Sequence, residues 1–373
     1  MTKHGYIPII KGKLNDLKAL GKLQSEIREL IKPLIELSPT PSTSIVDDYL
    51  AKFVKNLTQY SGEGTLFVDF YGFLPGECVR SKKLATIAGY ELLYSAGMQV
   101  TPVYGLGRDD TIWSHFGAVI KQHKQGFCFR LEEDDLEEDA IEETWEKVLT
   151  KSSQLQVNLE EVDLLIDLRD VREKSVNEKV QLVTDFMTFK SQKIKFRSIA
   201  IAGSSAPKDV SVIKKDSLGE IERKELKIWA TLKTDLSDGD TIIYSDYGVV
   251  HPDFAADNLP VGGSINCKIR YTVSNKILIF RGHQRAGDSL QPHVLAQKVC
   301  AHSLYCGRNY SFGDEFIEDV ANYAKGPGNP GNWVLADMNH HFAFTSTQIH
   351  SLRRNLKSGL SQEAIGILLD ESV

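Results

Sequence analysis

The chain is short of the features that announce several common functions. Its 373 residues include only five cysteines, Cys78, Cys128, Cys267, Cys300 and Cys306. They are odd in number and form no C-x-x-C pair, which fits reduced thiols and not a disulfide framework. No stretch approaches the roughly 20 consecutive apolar residues of a membrane helix, and the N-terminus has no apolar signal core. These absences predict a cytoplasmic protein with no membrane association. A basic surplus is missing as well: 44 Lys and Arg stand against 50 Asp and Glu, for a formal charge of −6 and a pI near 6.0. That balance gives no general attraction to phosphate backbones, and short runs such as "KSQKIKFR" are too small to change it, so general nucleic-acid binding is not expected.

Sharp catalytic motifs are also absent. "YGLGR" carries two glycines without the full dinucleotide fingerprint, and neither a G-x-x-x-x-G-K-[ST] loop nor a G-x-S-x-G elbow occurs. The chain therefore has no nucleotide-cofactor motif, and the common ATPase, dehydrogenase and serine-hydrolase readings lose support. His283, His293, Cys300, His302 and Cys306 are close in sequence, but their spacing fits no familiar zinc module. Buried free cysteines are the simpler reading. The acidic run "LEEDDLEED" reads as a loop and a helix start, where carboxylates favour the positive end of the dipole.

What the chain does have is a core and a rhythm. Hydrophobic residues make up 42%, ample for a core in one large domain or two. Eight β-rich runs alternate with helix-patterned stretches: "YIPII", "KPLIEL", "TLFVDFYGF", "MQVTPVYGLG", "GFCFRL", "VDLLIDLRDV", "FRSIAIAGSS" and "DTIIYSDYG". Repeated βαβ units of this length predict an α/β fold, a (β/α)8 TIM-like barrel, with an open doubly wound sheet as the alternative because spacing does not show closure. Past Asp246 the pattern changes. "NCKIRYTV" and "KILIFRG" read as a hairpin near 265–282, and "PHVLAQKVCAHSLY" as the last barrel helix. The expected division is a barrel over 1–305, hairpin included, and a C-terminal helical segment over 306–373 packing over it. "AKGPGNPGNW" is turn-rich and reads as irregular, a lid candidate; "HHFAFTS" reads as strand-like, before a helix over 348–369.

In such a barrel the C-terminal strand ends converge on one mouth. Reading each run to its end gives Lys11, Glu36, Asp69, Tyr104, Arg130, Asp167, Ser204 and Asp246. Glu36, Asp69, Asp167 and Asp246 offer oxygen ligands for magnesium or manganese, or a general acid and base. Lys11 and Arg130 would hold an anion. Gly203, Ser204 and Ser205 of "AGSSAP" stand where barrels often bind phosphate through backbone N–H groups. Tyr271, Arg281 and His340, with Arg270, Trp333, Asn339 and His341, are expected to close over the mouth, a histidine serving as proton donor. The bland alternative is that charges at strand ends meet solvent or one another.

"YIPIIKGKLNDLKAL" followed by "IKPLIEL", then "KIRYTV", "ILIFRG" and "NHHFAF", resembles the beta family of bacterial, prophage and phage-satellite proteins, from the N-terminus to about Thr345. The resemblance implies a role in phage-encoded or mobile-element conflict, including anti-phage defence, beside toxic or regulatory neighbours. It supplies no reaction and assigns no catalytic role to Lys11, Glu36 or His340. Two functions are therefore carried forward. One is a barrel enzyme acting on a nucleotide or phosphoester, as a metal-dependent hydrolase. The other is a non-catalytic neutraliser or sensor that binds a toxic partner encoded nearby or a phage product.

Overall fold

The computed structural model describes residues 4–189, 195–236, 242–253, 266–284 and 288–357. Eight parallel strands close into a barrel: β1 (Tyr6–Lys11), β2 (Leu34–Glu36), β3 (Leu66–Asp69), β4 (Val100–Gly105), β5 (Phe127–Glu132), β6 (Val162–Asp170), β7 (Ser198–Ser204) and β9 (Ile242–Asp246). All eight runs read from the sequence are in it. Between β7 and β9 the chain makes β8 (Ser217–Glu222), which leaves the barrel and joins a separate antiparallel sheet with β10 (Asn266–Val273) and β11 (Lys276–Gln284).

Strand parity sets the two sides of the barrel wall. Ile7, Ile9, Leu34, Phe67, Val103, Cys128, Leu165, Ala200, Ala202 and Ile243 fill the inside with Tyr247, which follows β9. The alternate residues, among them Tyr6, Ile35, Val68, Tyr104, Phe129, Ile166 and Tyr244, face the surrounding helices. Burial on both faces explains the near-continuous apolar runs.

The helical layer is α1 (Leu14–Gly21), α2 (Ser25–Arg28), α3 (Val46–Tyr60), α4 (Ala85–Ser95), α5 (Asp110–His123), α6 (Ile141–Leu155), α7 (Val176–Phe189) and α8 (Lys224–Asp235). Among the described residues three further helices follow: α9 (Gln291–Cys300), α10 (Phe312–Ala321) and α11 (Pro330–Lys357). The acidic run forms a 3-10 turn over Glu133–Leu136 before α6, as its helix-start reading expected.

Three expectations for the C-terminal third need correction. The helix lying against β1 and α1 is α11, tied to α1 by the Asn339 amide donating to the Ala19 carbonyl at 2.9 Å. The segment expected as the last barrel helix is α9, which instead packs with α10 and the inner face of β10 and β11. That second core includes Ile269, Tyr271, Phe280, Leu295, Ile317 and Trp333, and so spans the boundary expected at residue 305. "HHFAFTS" lies inside α11, and the end of "AKGPGNPGNW" forms its first turn, with Pro330 at the start, where a missing N–H loses no bond. The end of the helix expected over 348–369 lies outside the described residues.

Candidate functional site at the barrel mouth

Inward parity carries Lys11, Glu36, Asp69, Arg130 and Asp167 to the C-terminal mouth, where they form one network. Arg130 is its centre, 1% exposed. Its Nη1 stands 2.8 Å from both Glu36 Oε2 and Asp69 Oδ2, and its Nε and Nη2 donate to Asp167 Oδ2 at 3.0 and 2.6 Å. Nη2 also reaches the Tyr247 hydroxyl at 2.7 Å, which in turn donates to Asp167. Lys11 pairs with Glu36.

Four participants were not read from the sequence: Tyr71, Arg108, Arg169 and Tyr247. Arg108 binds Asp69 through Nη1 and Nη2 at 2.6 and 2.8 Å. Arg169, at φ 53°, donates from Nη1 to Tyr247 at 3.1 Å and from Nη2 to the exposed Asp253 at 2.7 Å. The Tyr71 ring covers the group, with the Arg130, Arg169 and Arg108 guanidinium carbons 4.5, 5.1 and 5.6 Å from its centroid. A guanidinium over a ring face is attracted by the ring's quadrupole. Tyr71 and Tyr247 lie just past the ends of β3 and β9, and Arg169 lies at a break in the register of β6, so strand alternation gives no signal for any of the three.

Solvent reaches this network from one side. Arg130, Asp69 and Asp167 are enclosed, whereas the Arg169 and Arg108 side chains are 19% and 21% exposed. Burial alone would raise the Asp69 and Asp167 carboxyls, but neighbouring guanidiniums outweigh it and hold both below the ordinary range. Burial raises the Tyr71 phenol to about 12, so it stays protonated at neutral pH. Among the described residues four cations, Lys11, Arg108, Arg130 and Arg169, meet Glu36, Asp69 and Asp167 within the mouth and Asp253 at its rim.

The remaining candidates lie elsewhere. Asp246 shares parity with Ile242 and Tyr244 and so faces outward, where the Tyr6 and Tyr244 hydroxyls donate to it at 2.6 and 2.9 Å. His341 of α11 meets it through Nε2 at 2.9 Å and meets the Thr272 hydroxyl through Nδ1 at 2.8 Å. A carboxylate only accepts, so Nε2 donates and the Thr272 hydroxyl supplies Nδ1; one neutral tautomer satisfies both. Burial accordingly lowers the His341 pKa, against the opposing pull of Asp246. Nearby, the buried Arg223 donates to Gln348 Oε1 at 2.9 Å, Thr345 Oγ1 at 3.0 Å and Tyr244 at 3.3 Å. His340 sits between Asp314 Oδ2 at 2.9 Å and the Thr272 carbonyl at 2.8 Å, with no exposed surface. Tyr271 donates to Asp314 at 2.7 Å, Arg281 to the Ile213 carbonyl, and Arg270 pairs with Asp337 at 3.5 Å. None of these closes over the mouth; they join the barrel's outer side to the second core.

Tyr104 also faces outward, against Trp113 and Phe116, its hydroxyl donating to the Arg108 carbonyl at 3.3 Å. Ser204 spends its hydroxyl on the Val250 carbonyl and Ser205 on Glu225, while a Cβ at Gly203 would point at Glu225 and Val171, toward the helices. Ser204 ends β7 on the parity of Ala200 and Ala202, Ser205 follows it, and both hydroxyls are already partnered.

The expected divalent cation does not fit this donor set. Asp246 is outside the mouth, and Arg130 stands among Glu36, Asp69 and Asp167 where a shared ion would have to sit. Among the described residues no group of three or more His, Cys, Asp or Glu is arranged to hold a metal. The five cysteines are free. No helix of the described residues is long and apolar enough to cross a membrane.

Fold and site together define a (β/α)8-barrel protein with a charged cluster at the end of the barrel where this architecture carries its ligands. Within that class the chain belongs to the Beta protein family, whose model matches residues 6–346. No curated protein matches it.

Proposed function

We propose that the barrel mouth binds a phosphate-bearing small molecule such as a nucleotide or phosphoester. The observation that carries this reading is the pair of partly exposed guanidiniums, Arg108 and Arg169, flanking the exposed Tyr71 ring above the buried Arg130. Guanidiniums suit phosphate because their forked N–H groups match its oxygens. Among the described residues Arg169's outward partner is Asp253 at the rim, so an arriving anion exchanges with an exposed carboxylate and leaves the inner network in place. The buried carboxylates fix the direction of the guanidiniums in advance, which lowers the ordering cost of binding.

As an enzyme the protein would hydrolyse the phosphoester. Water would attack phosphorus and the P–O bond to the alcohol would break; the arginines would stabilise charge on the phosphoryl group in transfer, and the Lys11–Glu36 pair would take a proton from the water and return one to the leaving alkoxide. A non-catalytic sensor is favoured by a different observation: Asp69 and Asp167 are held ionised by arginine and are weak bases, so binding alone accounts for their arrangement. Either activity suits the conflict-system setting that the family resemblance implies, with a protein partner encoded nearby.

Isothermal titration with inorganic phosphate and a nucleotide panel tests the binding, and a phosphate-release assay separates the two activities. Binding lost in Arg169→Ala supports the reading. Release of phosphate favours the enzyme; binding without turnover favours the sensor. Flat titrations across the panel refute the site.

A further inference from the structure

Beside the mouth, beneath the loops that follow β3 and β4, lies a cavity of about 240 Å3. Tyr71 and Arg108 line it, and both belong to the mouth network. Phe70, Phe73, Ile112 and Phe116 form much of its remaining wall. Gly89 of α4 makes room for one of them, since a Cβ there would meet the Phe70 ring at 2.2 Å. The cavity is thus mainly apolar and shares Tyr71 and Arg108 with the mouth.

We propose that this cavity is the second half of the ligand site and takes a ring-sized apolar group joined to the anionic head. The inference rests on the phosphate-bearing reading above and narrows it to aryl or similarly apolar phosphoesters. Three features support it. The volume is below the roughly 300–1,000 Å3 of pockets that enclose a whole drug-sized ligand, so it accepts one ring and not a complete nucleoside. Two of its polar side chains are already committed, Tyr104 to the Arg108 carbonyl and Asp109 to the Thr111 N–H at 2.7 Å. A nucleobase placed there would leave ring heteroatoms short of partners, which an apolar ring avoids. Finally, Arg108 links the two halves: its guanidinium binds Asp69, and the same residue lines the cavity, so a head group held by Arg108 stands at the edge of the apolar wall.

The test compares phenyl phosphate, inorganic phosphate and adenosine monophosphate by titration calorimetry on the full chain. Phenyl phosphate is expected to bind at least about tenfold more tightly than inorganic phosphate, the gain from burying one apolar group. Gly107→Leu should cancel that gain and leave inorganic phosphate unchanged. Gly107 is exposed and lines the cavity, and a Cβ on it meets nothing within 4 Å, so the variant adds bulk without disturbing the core. Thr86→Phe, from the α4 side, should do the same. Equal affinities for phenyl phosphate and inorganic phosphate would overturn the apolar subsite while leaving the anion site standing. Adenosine monophosphate binding more tightly than phenyl phosphate, with the preference kept in Gly107→Leu, would overturn it too. No binding of any probe would overturn the anion site itself.

Discussion

Two buried polar regions lie on opposite sides of one barrel wall. Inside, the mouth gathers Arg130 with Glu36, Asp69, Asp167 and Tyr247. Outside, the seam beneath α11 gathers Arg223 and His341 with Asp246, Tyr6, Tyr244 and Thr272. Both use arginine, aspartate and tyrosine. What differs is access: the mouth continues to solvent through Arg108, Arg169 and Tyr71, whereas His341, Arg223 and Asp246 are enclosed on every side. Similar chemistry is therefore differently exposed: solvent reaches one network, and a helix covers the other. A buried ion pair is weak evidence for net stability, yet removing one partner strands the rest.

The largest expected effect follows from that asymmetry. Arg130→Met leaves three enclosed carboxylates without their shared cation, and should cost about 3–5 kcal/mol in urea unfolding. The loss would be smaller if the carboxylates took up protons, so it should shrink as pH is lowered. A variant as stable as the parent at pH 7 would show that the mouth does not depend on its central guanidinium.

The pH dependence sharpens the contrast further. Burial raises the Glu225 carboxyl, beside Arg223 and Ser205, to about 7 from an ordinary 4.5. A raised folded pKa contributes stability that is fully present below the unfolded value and is lost as pH rises through the folded one. The loss therefore falls between about pH 4.5 and 7, and amounts to at most about 3 kcal/mol. Asp69 and Asp167 have the opposite sign, being depressed by arginine despite burial; their stabilisation is present at neutral pH and is lost as pH falls below the ordinary carboxylate range. Asp246, depressed chiefly by His341 against burial, adds to that acid limb. Burial raises Asp16 and Asp337 to about 7 as well, so Glu225→Gln should remove only its own share of the fall between about pH 4.5 and 7 and leave the acid limb intact. A profile unchanged over that interval would remove Glu225 as its source.

At the seam itself, His341→Ala withdraws a donor from Asp246 and an acceptor from Thr272 in a region water does not enter. The expected cost is about 2–3 kcal/mol, with phosphate binding unaltered. A variant that bound phosphate more weakly while keeping its stability would mean that the two regions are coupled through β9.

The sequence made the barrel legible because parallel strands buried on both faces stand out as apolar runs. It hid β8 because "SLGEIE" keeps no clean alternation: Leu218 shares the exposed face with Glu220 and Glu222, and Ser217 and Gly219 share the other with Ile221. It hid the helical nature of "HHFAFTS" because a short apolar run fits either period. The mouth was partly readable: Lys11, Glu36, Asp69, Arg130 and Asp167 sit together as the strand ends suggested. Asp246 failed on parity, since Ile243 faces inward and Asp246 lies three residues on. The residues that open the mouth to solvent were invisible for another reason: Tyr71 and Arg108 lie in loops, where no strand alternation announces direction.

The smallest stability effect is the most discriminating. Arg169 is partly exposed, its outer nitrogen is paired with an exposed aspartate, and Arg130 already neutralises the carboxylates beneath it. Arg169→Ala should therefore change unfolding free energy by less than about 1 kcal/mol, as expected of ion pairs open to water. Phosphate binding in the same variant should fall at least about tenfold, since the lost guanidinium would have bonded the anion directly. Stability and binding then separate at the mouth, as they do not at the seam. If Arg169→Ala instead unfolded as readily as His341→Ala and left titration heats unchanged, both networks would be structural, and exposure at the mouth would have no bearing on function.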